Sequence, residues 1–234
     1  MPGFMLDEPA MRILGIETST RRGSVALFDE NRLVLSLEHD KPNAHAEALL
    51  PLVARLFAET GVPKSSLERV AVGTGPGSFT GLRIGIALGE GIALGIGVPL
   101  VGVCSLEALA RAPEGTRARI AVLDAGRGEL FVAAYAADGA ELLAPCAATP
   151  DDARGRILAR GALRGALVVG EGAAKLGGEF DVAQGPELDL PHARSVAALA
   201  ATRDPERSPP DPIYVRGAGA TLPDLPPSPL PKES

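Results

Sequence analysis

Tryptophan is absent, aromatic residues make up only 3% of the chain, and cysteine occurs twice, at Cys104 and Cys146. Two distant cysteines with no CxxC and no histidine at metal-ligand spacing exclude a disulfide-stapled scaffold and a zinc finger, and both read as core thiols. Basic runs are missing too. With 23 Lys and Arg against 29 Asp and Glu the net charge is −6, which argues against autonomous nucleic-acid binding, because phosphate neutralisation supplies most of that affinity. The apolar stretch 84–103 contains Glu90, follows Arg83 and is broken by Pro99, so it is not read as a membrane span. Residues 1–10 (MPGFMLDEPA) lack the apolar core of a signal peptide. A cytoplasmic protein is expected, with those residues as an N-terminal extension of no assigned function.

What is plentiful is glycine, 28 of 234 residues, in a chain whose 46% hydrophobic content can fill a sizeable core. The glycines concentrate after the apolar run Val70–Val72, in GTGPGSFTGLRIG (73–85). This reads as a buried strand that empties into a glycine-rich turn and opens a helix. Such a junction, at Gly73, Gly75, Gly77 and Ser78, either holds an anion at the helix N-terminus or lets another backbone come close. It has no Gly-Lys-Ser/Thr and no GxGxxG with a following acidic residue, so neither a P-loop nor a dinucleotide site is supported; a tight turn without ligand stays open. In the helix that follows, Gly81, Gly85, Gly89, Ala93 and Gly97 recur every four residues, and Gly91 and Gly95 add a second small row. Each interior glycine costs about 1 kcal/mol relative to alanine, so something must pack very closely. The candidates are the chain's own sheet, the safer reading from the residues alone, and a partner helix.

The chain also begins twice. RILGIE (12–17) runs through a polar turn into SVALF (24–28), and RIAVLD (119–124) runs through a glycine-bearing turn into LFVAAY (130–135). Both are apolar strands from Arg-Ile to an acid, each followed by a hairpin, which predicts a duplicated α/β unit. Between them, Ala44–Thr60 carries Leu49, Leu50, Leu52, Val53, Leu56 and Phe57 at helical spacing, with Pro51 as a kink and Gly61 and Pro63 as a stop. Leu100–Val103 and Leu167–Gly170 read as strands, Ser105 as the cap of one helix, and Asp151 or Asp152 as the cap of another. After Arg216 the chain is rich in Pro, Gly and Ser and is expected to be disordered, while Tyr214 and its β-branched neighbours in PIYVR are expected to dock first.

ILGIETST, the block GTGPGSFTGLRIGIALGEGIALGIGVPLVGVCSLEALA, DAGRGEL and PIYVR together resemble the TsaB (YeaZ) family of bacterial tRNA threonylcarbamoyladenosine biosynthesis proteins, over most of residues 11–216. The resemblance implies an α/β fold of duplicated lobes, each a mixed sheet with helices, of the actin, Hsp70 and sugar-kinase (ASKHA) type. The lobes would be 11–108 and 109–216, with a tail at 217–234. It also implies an accessory subunit that supports the larger catalytic paralogue TsaD, beside the ATPase TsaE, in moving threonylcarbamoyl from its adenylate to N6 of adenosine 37 in ANN-decoding tRNAs. Alone, such a protein pairs as a homodimer; tRNA is met through the complex, and no membrane is involved. The implied partner interface is Leu49, Val53, Leu56, Gly81, Gly85, Gly89 and Ala93.

The catalytic paralogue carries paired histidines at i and i+4; here His45 is followed at that spacing by Leu49, so no metal site, cofactor or catalytic residue is assigned. A glycoprotease reading has no support in these residues. His39 and His192 read as ordinary polar residues elsewhere. The superfamily's ATPases end their first strand in Asp followed by hydroxyls, and Glu17, Thr18, Ser19 and Thr20 reproduce this in part, with Asp124 as the second lobe's acid. Gly126-Arg127-Gly128 departs from the usual phosphate turn, so the nucleotide site is expected to be vestigial or absent. The alternative is an independent small-molecule kinase or ATPase of the same fold.

Overall fold

The computed structural model describes residues 11–30, 32–41, 44–112, 115–178 and 180–215, and the expected extension and tail lie outside them. Near-continuous apolar runs make strands buried on both faces at the centre of each of two sheets. The first sheet holds β1 (Ile13–Glu17), β2 (Gly23–Asp29), β3 (Arg32–His39), β4 (Arg69–Gly73) and β5 (Leu100–Val103), in the order β3-β2-β1-β4-β5. The second holds β6 (Arg119–Gly126), β7 (Glu129–Tyr135), β8 (Glu141–Ala148), β9 (Leu167–Val169) and β10 (Asp181–Val182), in the order β10-β9-β6-β7-β8. The same plan is built twice. In each, the first strand is antiparallel to the second and parallel to the fourth, so the two Arg-Ile strands occupy equivalent central places.

Helices α1 (His45–Thr60) and α2 (Phe79–Ile96) pack on the first sheet, and α4 (Pro150–Leu158) and α5 (Ala173–Leu176) on the second. Both long helices end on a left-handed glycine, Gly61 and Gly97, whose N–H donates to Phe57 O and Ala93 O. Ser78 caps α2 by accepting from Gly81 N at 3.2 Å. Two expected caps are corrected. The cap of α4 is Thr149, which accepts from Asp152 N while Pro150 sets the first turn; Ser105 is the first residue of α3 (Ser105–Arg111), whose cap position is Cys104, with its hydroxyl committed elsewhere. By length and composition α2 could cross a membrane, yet its glycine-bearing face lies against β1 and β4.

The expected division of the chain at 108/109 is not the division in space. Helix α3 (Ser105–Arg111) packs on β6 and β7 through Leu106, Leu109 and Ala110, while α6 (Ala193–Ala200) packs on β1, β2 and β4 through Val196, Ala197 and Ala200. Each half therefore lends a helix to the other half's sheet. Gly15 makes room for this crossing, since a Cβ there would overlap Ala193 O and crowd Ala197 Cβ. The chain then stays with the first sheet: Gly102 N donates to Ser208 O at 2.9 Å and Ile213 N to Thr74 O at 2.8 Å.

Candidate functional site

The ends of β1 and β6, the glycine loop and the start of α2 enclose a cleft of about 600 Å³ between the two sheets. Its first-lobe wall is Ser19, Thr20, Arg21, His45, Gly77, Ser78 and Thr80; its second-lobe wall includes Asp124, Phe131 and Glu171. The glycine loop is pressed against the β1–β2 turn rather than left open. A Cβ on Gly77 would overlap Ser19 O, which accepts from Ser78 N at 2.7 Å, and one on Gly73 would overlap the Glu17 carboxylate. Close approach of the chain to itself explains these glycines.

Glu17 is fully buried and turned away from the cleft. Its Oε1 accepts from Ser19 N at 2.6 Å and its Oε2 from Ser105 Oγ at 2.8 Å, while Ser105 Oγ in turn accepts from Gly75 N at 3.1 Å. Burial pushes the Glu17 carboxyl up from the usual carboxylate range against these hydrogen bonds. It ties the ends of β1 and β4 to the start of α3. Thr18 is equally occupied, donating to Gly81 O at 2.8 Å. Of Glu17, Thr18, Ser19 and Thr20, only Ser19 and Thr20 line the cleft, and the Ser19 Oγ is buried close to the Glu17 carboxyl. Asp124 does face the cleft; it accepts from Gly126 N at 2.9 Å and pairs with Lys175, and Lys175 foremost holds its pKa below the ordinary aspartate value. The β6–β7 turn beside it takes three successive left-handed residues, Gly126, Arg127 and Gly128, at φ 69, 56 and 78°.

A divalent cation with nucleotide phosphates needs an accessible carboxylate at the end of β1, and this chain has none there. The residues present do not fit the nucleotide group of the superfamily's ATPases. Among the described residues no cluster of three or more His, Cys, Asp or Glu is placed to share a metal ion. Cys104 is no nucleophile either, because burial first of all raises its thiol pKa and Tyr135 Oη sits 3.6 Å from its sulfur.

His39 does not lie apart from His45, as the sequence suggested, but against it. His45 Nε2 is 2.8 Å from Thr20 O and so carries the proton; its Nδ1 then accepts from His39 Nε2 at 3.2 Å, and His39 Nδ1 accepts from Lys41 N at 3.3 Å. This relay requires both rings neutral. Sequence reasoning also missed Arg21, which reaches across the cleft mouth to Glu171 and pairs with Asp40 at 3.2 Å, and Arg22, which meets Asp189 at 3.2 Å and His192 Nε2 at 2.8 Å. The doubled arginine was visible; partners some 150 positions away were not.

The expected partner residues stand inside the first lobe. Leu49, Val53, Leu56 and Ala93 are core, and a Cβ on Gly81, Gly85 or Gly89 would overlap Thr18 O, Thr18 Oγ1 or Val72. The safer reading of that stripe holds: the chain's own sheet fills it. What stays open on the same helices is the opposite face, with Leu50 60% and Leu94 87% exposed and with Ala87, Gly91 and Gly95 one turn apart. A Cβ on Gly91 or Gly95 would meet nothing within 4 Å.

A family model described as TsaD, tRNA N6-adenosine threonylcarbamoyltransferase, matches residues 40–181. The tRNA threonylcarbamoyladenosine biosynthesis protein TsaB of Escherichia coli (strain K12) is 37% identical over 131 residues, 55% of this chain and 56% of that protein. The chain thus spans about half the length of the curated relative it matches. Among solved structures, YeaZ from Pseudomonas aeruginosa superimposes with a TM-score of 0.70 at 29% identity, over 87% of this chain and 99% of that one. The activator of the 2-hydroxyisocaproyl-CoA dehydratase from Clostridium difficile, with a TM-score of 0.50 at 12% identity over 82% and 94% of the two chains, shares the fold alone. The duplicated ASKHA-type architecture follows from these likenesses and from the repeated sheet order.

Proposed function

Since the chain belongs to the TsaD family, in its TsaB (YeaZ) branch, we propose that it is a noncatalytic, cytoplasmic accessory subunit of the bacterial machinery that installs threonylcarbamoyl on N6 of adenosine 37 in ANN-decoding tRNAs. It acts by binding and supporting a TsaD-like catalytic paralogue, beside a TsaE-like ATPase. Alone it pairs with a second copy, and tRNA meets it chiefly through the complex.

The observation that carries this reading is the outer face of α1 and α2. Leu94 and Leu50 project from it while Ala87, Gly91 and Gly95 leave a shallow track, a shape that admits another helix at close range. The cleft supports the noncatalytic part. Its carboxylates are ion-paired or buried. An independent kinase or ATPase is the competing reading, and the buried Glu17 weighs against it. The test is threonylcarbamoylation of unmodified ANN-decoding tRNA by the cognate TsaD-like and TsaE-like proteins with preformed threonylcarbamoyl-adenylate. Incorporation that needs this chain, which alone gives none, supports the reading; equal incorporation without it refutes the reading. Heat on titrating the lone chain with ATP and Mg²⁺, lost in Asp124→Ala, would favour the kinase instead.

A further inference from the structure

Arg119 opens β6, 93% buried at 7% relative exposure, in the place that Arg12 holds just before β1. The repeated hairpins allow a direct comparison. Ile13 pairs with Phe28 and Ile120 with Ala134, so Arg12 comes opposite Asp29 and Arg119 opposite Tyr135. Arg12 has its carboxylate there, Nε to Asp29 Oδ2 at 3.0 Å. Arg119 has instead a phenol whose hydroxyl is already turned to Cys104. Its Nη2 donates to Gly115 O at 2.6 Å, and among the described residues no carboxylate pairs with it. The charge that bears on it is Arg111, of the same sign.

The other cations nearby are neutralised: Arg203 by Glu107 and Arg194 by Glu187. Asp138, the remaining acid on the wall, is occupied in part by Ala140 N. Two cavities, of about 440 and 560 Å³, meet at Arg111 and Arg119 and share Phe28 and Ala198 as apolar wall. Neither has a lining residue in common with the cleft described above. A buried guanidinium without a counter-charge is costly, and one beside a second cation more so, unless an anion joins them. The fork geometry of arginine matches the oxygens of a phosphate, and a pair of arginines matches its charge.

We propose that Arg111 and Arg119 form a phosphate-binding site, taking a phosphate ester whose remainder lies in the adjoining cavities. The ester comes either from a small molecule or from an RNA backbone; the RNA source rests on the tRNA-modification reading. The full-length chain is titrated calorimetrically with inorganic phosphate and, separately, with an unmodified ANN-decoding tRNA transcript. Arg111→Ala, Arg119→Gln and, as control, Arg55→Ala are compared. Phosphate affinity falls at least tenfold in Arg111→Ala and Arg119→Gln and is unchanged in Arg55→Ala. If tRNA affinity falls with it, and the salt dependence drops by about one unit per arginine, the source is RNA; if tRNA binding stays as it was, the source is a small phosphate ester. No binding of phosphate by the wild type, or wild-type binding by Arg111→Ala, overturns the proposal. Arg111 is exposed, so that variant folds even where Arg119→Gln does not. Capture of the TsaD-like partner, read in parallel, is unchanged in Arg111→Ala, which separates failure of this site from failure of the accessory role.

Discussion

Substituting leucine at two glycines of α2 separates folding from assembly. At Gly85 a side chain would overlap Thr18 Oγ1 and break its hydrogen bond to Gly81 O, so Gly85→Leu destabilises the chain by about 1–3 kcal/mol or more from overpacking and says nothing of a partner. At Gly91 nothing lies within 4 Å. Gly91→Leu recovers up to about 1 kcal/mol of helix propensity, which raises the melting temperature by roughly 2–4 °C in a domain of this size. On the outer track, however, the same leucine holds an approaching helix away and keeps Leu94 from being covered, a burial that contributes about 1.5–3 kcal/mol. The variant therefore binds the TsaD-like partner at least about tenfold more weakly while melting higher. Calorimetric titration and thermal denaturation on one preparation give both numbers. Wild-type affinity in Gly91→Leu would refute this face as the partner surface, and a lowered melting temperature would refute the packing argument.

Glu17→Ala leaves Ser19 N and Ser105 Oγ without their acceptor and opens a void, and is expected to cost about 2–4 kcal/mol in urea unfolding; a phenotype at full stability would point to a chemical role for Glu17 instead. Arg69→Met removes the donor that bonds the carbonyls of Ala200 and Arg203 at the end of α6, and should lower stability by about 2 kcal/mol in the same assay; no change would show that this cap is redundant. Burial, and then His45 for His39 and Arg22 for His192, hold both imidazoles below the ordinary histidine value of 6.5, so the unfolded chain takes up protons first as pH falls. The urea midpoint is expected to be highest above pH 6.5 and to decline below it, with the decline reduced in His39→Gln and His192→Gln; a flat profile in the wild type would contradict the neutral relay.

The central strands, the long helices and the duplication were legible because each is a local signal: an apolar run, a 3.6-residue period, a repeated Arg-Ile opening. Glu17 was legible as the acid at a strand end, but not as a carboxyl turned inward, since Gly73 and Ser105 reach it from other elements. The glycine stripe declared that something packs closely without saying on which side; Thr18 and Val72 answer for Gly85 and Gly89. His39 and His45 lie six residues apart with a strand end and a helix start between them, so only the turn's course brings them together. Arg119 was read as the start of a strand, and its missing counter-charge emerges only when the two hairpins are set in register.

The crossing of α3 and α6 carries a consequence for how the chain can be taken apart. A fragment ending near residue 112 keeps its five strands but loses the helix that covers β1 and β4, exposing Ile13, Ala71 and Val101; the complementary fragment carries that helix with no sheet beneath it and loses α3 from β6 and β7. Neither piece is expected to fold on its own, because each lacks one layer of its core. Co-expressed, the fragments should find each other through the crossed helices and rebuild the whole, a molecule whose two halves hold together because each completes the other's core.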